Sequence, residues 1–157
     1  MNHPVHEIFG NQVRIRACGL CVQNNQLLLV NHSHLAPGDF WAPPGGGVRF
    51  SEALEAALQR EFEEETGLRI QVRDFLFVCE FIQAPLHAIE LFWRVEMTGG
   101  ALRTGIDPEL GDTQIIQAVQ FFDWNQINAL PKTQLHGIFR IPSNPAEILD
   151  LRGYFKL

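Results

Sequence analysis

Apolar residues recur along this chain with two different periods, and the places where the period changes mark its elements. Residues 13–22 are rich in β-branched and small apolar side chains, and residues 26–31 form a second apolar run. Asn24-Asn25 between them is a turn signal, so the pair reads as a β-hairpin. Residues 32–40 read as a loop punctuated by Pro37-Gly38-Asp39, and residues 41–48 as a short Gly/Pro-rich stretch. Over residues 51–66 the period lengthens to that of a helix, with Ser51 as N-cap and Gly67 just past the end. It then shortens again. Residues 70–82 predict one long strand or two short ones. Ile89, Leu91, Trp93, Val95 and Met97 alternate with Glu90, Phe92, Arg94 and Glu96, the pattern of a half-buried strand. Residues 99–113 predict a loop. The apolar positions of residues 114–122 fit either period, and their β-branched and aromatic content favours a strand. Residues 123–130 predict a short helix stopped by Pro131, and residues 146–152 a last helical turn or two. There is no repeat, low-complexity tract or linker. Strands around one strong helix indicate a single α/β or α+β domain over residues 1–157.

That helix carries charge where an amphipathic helix should be apolar. At about 100° per residue, Leu58 lies within about 40° of Leu54 and Ala57 within about 60°. Glu61 and Glu65 then fall about 20° to either side of Leu54, and Glu64 about 80° away. Like charges at i,i+3 and i,i+4 cost roughly 0.2–0.5 kcal/mol each in water, and more when partly buried. Arg60 reaches Glu64 at i,i+4, but one guanidinium does not neutralise three carboxylates. A hard divalent cation does, and oxygen ligands suit Mg²⁺ or Mn²⁺. The same segment also reads as a solvated acidic helix end, with glutamate chosen for helix propensity. Pro44-Gly45-Gly46-Gly47 shifts the balance, because glycines just ahead of such a helix let backbone approach a ligand closely.

Composition narrows the partners. A chain of 157 residues with 46% hydrophobic content can bury a sizeable core. Its formal net charge of −6 argues against a general nucleic-acid or anionic-membrane binder. It leaves phosphorylated small molecules open, since bound cations can supply positive charge. Cys18 and Cys21 form the one CxxC, but on a strand their odd separation points them to opposite faces, which argues against zinc and for buried thiols. Unpaired cysteines, and the absence of a basic start followed by an apolar stretch in residues 1–12, fit the cytoplasm. No apolar run is long enough to span a membrane.

At this point a family resemblance enters. Gly46, five residues, Glu52, seven residues, then Arg60-Glu61-Phe62-Glu63-Glu64-Glu65-Thr66-Gly67-Leu68 resembles the Nudix box at every defining position. Seven fixed identities at about 5–7% background usage coincide by chance with odds below about 10⁻⁸ per start. Trp41-x-x-Pro44-Gly45-Gly46 resembles the usual approach to the box. Arg49 and Phe50 stand where many members have an acidic residue or glycine. The resemblance implies an α/β/α sandwich around a mixed β-sheet. It implies metal ligation by Glu61, Glu64 and Glu65, joined by the Gly45 carbonyl, with Glu52 and Arg60 as orienting residues. The chemistry implied is attack of water on a phosphorus of a diphosphate, with a carboxylate taking the proton. The base lies in the box or on a loop between late strands; Glu109 sits on such a loop here and reads equally as a solvated turn residue. The substrate expected is a nucleoside diphosphate linked to another group, ADP-ribose-like first and a nucleoside triphosphate second. The rival is a non-catalytic nucleotide sensor, which a complete box disfavours. Many relatives are homodimers, so a homodimer is the expected assembly if any.

Other signals are weaker. Arg14 and Arg16 share one face of the first strand and could meet substrate phosphates or simply face solvent. Phe40 could stack on a nucleobase, whereas Trp41 reads as packed under the glycine loop. His87 and Glu90 could border the pocket. His32-Ser33-His34 could place two imidazoles together, but a surface loop is the better reading, since a metal site needs more ligands.

Overall fold

The computed structural model describes residues 4–32, 38–105 and 116–157, with Gln117 described by its backbone alone. A short helix α1 (Pro4–Phe9) leads into the hairpin β1 (Gln12–Gln23) and β2 (Gln26–His32). Asn24 and Asn25 both adopt positive φ (51° and 59°). That is the geometry a two-residue hairpin turn requires, and asparagine tolerates it well. Two short strands follow, β3 (Trp41–Ala42) and β4 (Gly45–Gly47), then helix α2 (Leu54–Thr66). The long strands β5 (Leu68–Gln83) and β6 (Leu86–Gly100) form a bulged antiparallel pair. β7 (Ile116–Asp123), α3 (Trp124–Ala129), three 3₁₀ turns (Lys132–Gln134, Gly137–Arg140 and Pro145–Asp150) and β8 (Gly153–Lys156) complete the described chain.

The strands make one mixed eight-stranded sheet in the order β3-β2-β1-β6-β5-β8, with β4 added on β1 and β7 on β2. β1 runs antiparallel to β2 and β4 but parallel to β6. Side chains alternate across β1, so each face feeds its own core. Ala17 and Cys21 pack with Ala57, Leu58 and Phe62 of α2. Cys18 and Leu20 pack on the other side with Ile127, Ile138 and Ile148 from α3 and the 3₁₀ turns. Helical segments thus cover both faces, and the expected mixed α/β architecture holds. The two cysteines of the CxxC face opposite ways, and all three cysteines are free and buried. Among the described residues no helix is long and apolar enough to cross a membrane.

Several expectations need correction. Ser51 does not cap α2: it has φ +65°, the helix starts three residues later, and Ala53 at the cap makes no side-chain bond. Glu52 does the local work instead, accepting the Arg49 N–H at 3.0 Å. Leu54 is 38% exposed and does not mark the core direction, which runs through Leu58 and Phe62. Glu61 and Glu65 still fall on the buried side. His32 is no loop residue but the end of β2, and it is buried. β6 is not simply half-buried: Glu90 and Phe92 are buried on one face while Trp93 and Val95 are buried on the other. Residues 70–82 belong to one strand, and the helix end at Gly67 (φ 76°) is as read.

Candidate active site

The glycine stretch and α2 meet because β4 pairs with the middle of β1, Gly46 opposite Ala17 and Gly45 opposite Cys18. α2 lies against the other side of this loop. The Gly45 N–H donates to Glu65 Oε1 at 2.8 Å. A Cβ on Gly46 would lie 2.3–2.4 Å from the Glu61 carboxyl atoms. Only glycine allows this approach, and the atoms met are the movable end of the Glu61 side chain. Gly46→Ala is therefore expected to displace the Glu61 carboxyl and weaken cation binding, at a stability cost of about 1 kcal/mol. Urea melts and divalent-cation titrations would check both; a wild-type result in both would mean the contact is not tight.

Arg60 organises the carboxylates. Its Nε and one terminal nitrogen grip Glu52 at 2.7 and 3.0 Å. That same nitrogen also donates to the Gly47 carbonyl at 3.1 Å. The other terminal nitrogen donates to Glu61 at 2.8 Å and to Glu64 at 3.1 Å. The bidentate bond to Arg60 holds the Glu52 carboxyl down at about 2. Glu61 behaves oppositely. Burial pushes it up to about 7, with Glu64 adding to the rise, and the nearby guanidinium of Arg60 only partly offsets this.

Beside the loop lies a cavity of about 740 Å³ whose lining includes Glu61, Glu65, Arg14, Arg16, Phe40, His87 and Glu90. That size suits a nucleotide-like ligand. Arg14 stacks its guanidinium 3.8 Å from the Phe9 ring centroid. Arg16 is not a solvated strand residue. It forms an ion pair with Glu90 at 2.5 Å and donates to the Gly45 carbonyl at 3.3 Å. The parallel register of β1 and β6 sets Arg16 beside Glu90. His136 Nε2 meets the other Glu90 oxygen at 2.8 Å. Burial alone would raise the Glu90 carboxyl, but His136 and Arg16 outweigh it and hold the group at about 2. Phe40 reaches the same cavity, its ring 6.4 Å from that of His136. Trp41 is buried edge-on against Phe122.

Among the described residues no three His, Cys, Asp or Glu side chains already enclose one point. The donor set nevertheless fits a hard cation. One guanidinium nitrogen of Arg60 already bridges Glu61 and Glu64, so both carboxylates can reach a shared positive centre. Glu65 adds oxygen from the next turn, and Glu61 is buried without full neutralisation. The Gly45 carbonyl, the remaining candidate ligand, is engaged by Arg16. Glu109 and His34 lie outside the described residues. The sequence reading missed His136 altogether, because nothing periodic surrounds it, and had no signal for the Arg16–Glu90 pair.

The chain matches the NUDIX domain over residues 11–140. It belongs to the NUDIX domain family. Among curated relatives, it is 31% identical over 116 residues to the ADP-ribose pyrophosphatase of Methanocaldococcus jannaschii, covering 73% of this chain and 62% of that protein. It is 38% identical over 68 residues to the m7GpppN-mRNA hydrolase NUDT17 of Xenopus laevis, covering 41% of this chain and 23% of that one. The chain thus spans less than two thirds of the length of either relative. The MutT NUDIX hydrolase from Burkholderia pseudomallei superposes with a TM-score of 0.68 at 25% identity, covering 88% of this chain and 98% of that one. A NUDIX hydrolase from Nitrosomonas europaea shares the fold, with a TM-score of 0.66 at 17% identity over 92% of this chain and 78% of its own. Nudix hydrolases generally use divalent metal ions, which accords with the oxygen-rich Nudix helix of this chain.

Proposed function

We propose that this chain is a Mg²⁺-dependent pyrophosphohydrolase, with Mn²⁺ as a possible substitute, acting on a nucleoside diphosphate linked to another group. The observation that carries this reading is the placement of the box carboxylates. Glu61 and Glu64 share one cationic centre, and Glu61 and Glu65 line the same cavity as Arg14 and Arg16. A diphosphate bound there would meet carboxylates that gather cations and guanidinium groups that offset its charge. Glu61, Glu64 and Glu65 would hold the metal, which when bound lowers the pKa of water and offsets phosphate charge. Arg60, tied to Glu52, fixes the orientation of the carboxylates it touches. ADP-ribose-like compounds are the first substrate choice, supported by the Methanocaldococcus relative, and nucleoside triphosphates the second.

A panel of nucleotides assayed with Mg²⁺ for released phosphate products tests the reading. Turnover of a nucleoside diphosphate derivative supports it, and binding of nucleotide without turnover of any member would make the chain a sensor. In this scheme Glu109 is a candidate base. Glu109→Gln is expected to slow the single-turnover rate about 10²–10⁴-fold while nucleotide binding persists. An unchanged single-turnover rate across pH would place the base in the box.

A further inference from the structure

A buried ion pair stands near the carboxylates of α2. Glu90 is only 3% exposed, and both of its oxygens are held. One takes the Arg16 guanidinium at 2.5 Å, and the other meets His136 Nε2 at 2.8 Å. Arg16 and Glu90 are direct partners in the parallel register of β1 and β6, which fixes where the two side chains stand. Taking two charges out of water is costly, and such a pair stabilises a fold little better than apolar residues would. Its value should therefore be sought in what it positions.

Two roles are open to it. The first is to support the glycine loop, since Arg16 also donates to the Gly45 carbonyl at 3.3 Å. The backbone makes that support unnecessary. Gly45 already pairs with Cys18 in the β1–β4 ladder. A Cβ on Gly45 would lie 2.4 Å from the Ala17 carbonyl oxygen and 2.7 Å from Cys18 Cα, so the loop is pressed onto β1 without help from Arg16. The second role concerns where Arg16 would otherwise go. Burial opposes its charge; among carboxylates Glu90 supports that charge most, then Glu65 and Glu61. Glu65 takes the N–H of the same Gly45 whose carbonyl Arg16 holds. Arg16 Nε is buried with no hydrogen-bond partner among the described residues, so the guanidinium has a donor to spare. Without Glu90, Arg16 would be an uncompensated buried charge, with Glu65 and Glu61 as its next carboxylates. Arg60 already gives Glu61 one guanidinium. A second would neutralise the cluster and remove its attraction for a cation.

We propose that Glu90 is a positioning residue for the cation site: it holds Arg16 away from Glu61 and Glu65, so that these carboxylates stay available to a divalent ion. The proposal rests on the reading of α2 as a metal-binding helix, and it assigns part of the site's cation affinity to a β6 residue outside the box.

Mn²⁺ binding to the full chain without nucleotide, followed by electron paramagnetic resonance, tests this in a mutant cycle. Glu90→Gln should raise the Mn²⁺ Kd about 10–100-fold, as Arg16 turns to the carboxylates. Arg16→Met alone should change it by no more than about twofold, because Glu90 already holds that side chain aside. The double variant should return to within about twofold of the wild type. Arg16→Met thus recovers affinity only where Glu90 is missing. A purely structural pair gives the opposite order, with the double variant binding no better than Glu90→Gln. A simple field effect gives Arg16→Met the same factor in both backgrounds. Either result overturns the proposal. If Glu90→Gln does not melt cooperatively, Glu90→Asp replaces it; the charge stays, the arm is a methylene shorter, and the same order of affinities is expected. The expected coupling without turnover of any nucleotide supports the role of Glu90 and defeats the hydrolase reading. Turnover without the coupling does the reverse, and a wild type that binds no Mn²⁺ overturns both.

Discussion

Glu65→Gln is expected to lower turnover of the preferred nucleotide by roughly 10²–10³-fold with little change in fold. Glutamine has the shape of glutamate, and its amide oxygen can still accept the Gly45 N–H that Glu65 holds at 2.8 Å. What it lacks is the negative charge that would gather a cation at the reacting phosphate. Glu64→Gln should act similarly, although it also gives up the ion pair to Arg60. Steady-state kinetics with Mg²⁺ and far-UV circular dichroism of each variant decide the point. A native spectrum with retained activity would remove these residues from the metal site.

The second large effect concerns stability against pH. Helical projection shows that clustered carboxylates must include one that holds its proton too tightly, but not which; the structure singles out Glu61. Its folded-state value, raised to about 7 chiefly by burial, lies above the unfolded value of about 4.3. The stabilising contribution is therefore fully present below about pH 4.3 and lost as pH rises through 7. In chelator at pH 8 the ionised group costs at most roughly 4 kcal/mol. Glu61→Gln, which mimics the protonated form, should then melt higher than the wild type at pH 8 and nearly with it at pH 4.5. The difference between the two proteins isolates Glu61 from His32, whose ring is lowered to about 3 chiefly by burial, so that its own contribution falls as pH drops from about 6.5. Saturating Mg²⁺ should raise the wild-type melting temperature and do so less for the variant. A pH-independent difference would show that Glu61 is not held in the raised state.

What was legible in the sequence was what local physics writes there. The Asn24-Asn25 turn, the glycine stop at Gly67, the strand periods and the short helix ahead of Pro131 are all short-range signals, and each is where the pattern put it. The box residues were legible because they share one helix and one loop. The rest of the site was not, because long-range pairing assembles it. Arg16 and Glu90 meet only through the parallel register of β1 and β6, and His136 comes from an aperiodic segment. Small elements escaped for a related reason. α1, with six residues, and β8, with four, are too short to show a period. Ser51 misled because its residue type suits a cap, while the backbone there turns left-handed to deliver Glu52 to Arg60.

The opposed facing of Cys18 and Cys21 has a bearing on redox chemistry. Side chains that leave a strand on opposite faces cannot approach to the Cβ spacing of about 4 Å that a disulfide needs, so this CxxC cannot close on itself. Burial also starves the thiols of reactivity: Cys21 is pushed up to about 11, Cys79 to about 12, and Cys18 well above its ordinary value. At neutral pH almost none of the sulfur is thiolate, the form that attacks oxidants and disulfides. Folding thus leaves all three sulfurs poor nucleophiles, and the CxxC is a packing feature of β1 and not a redox pair.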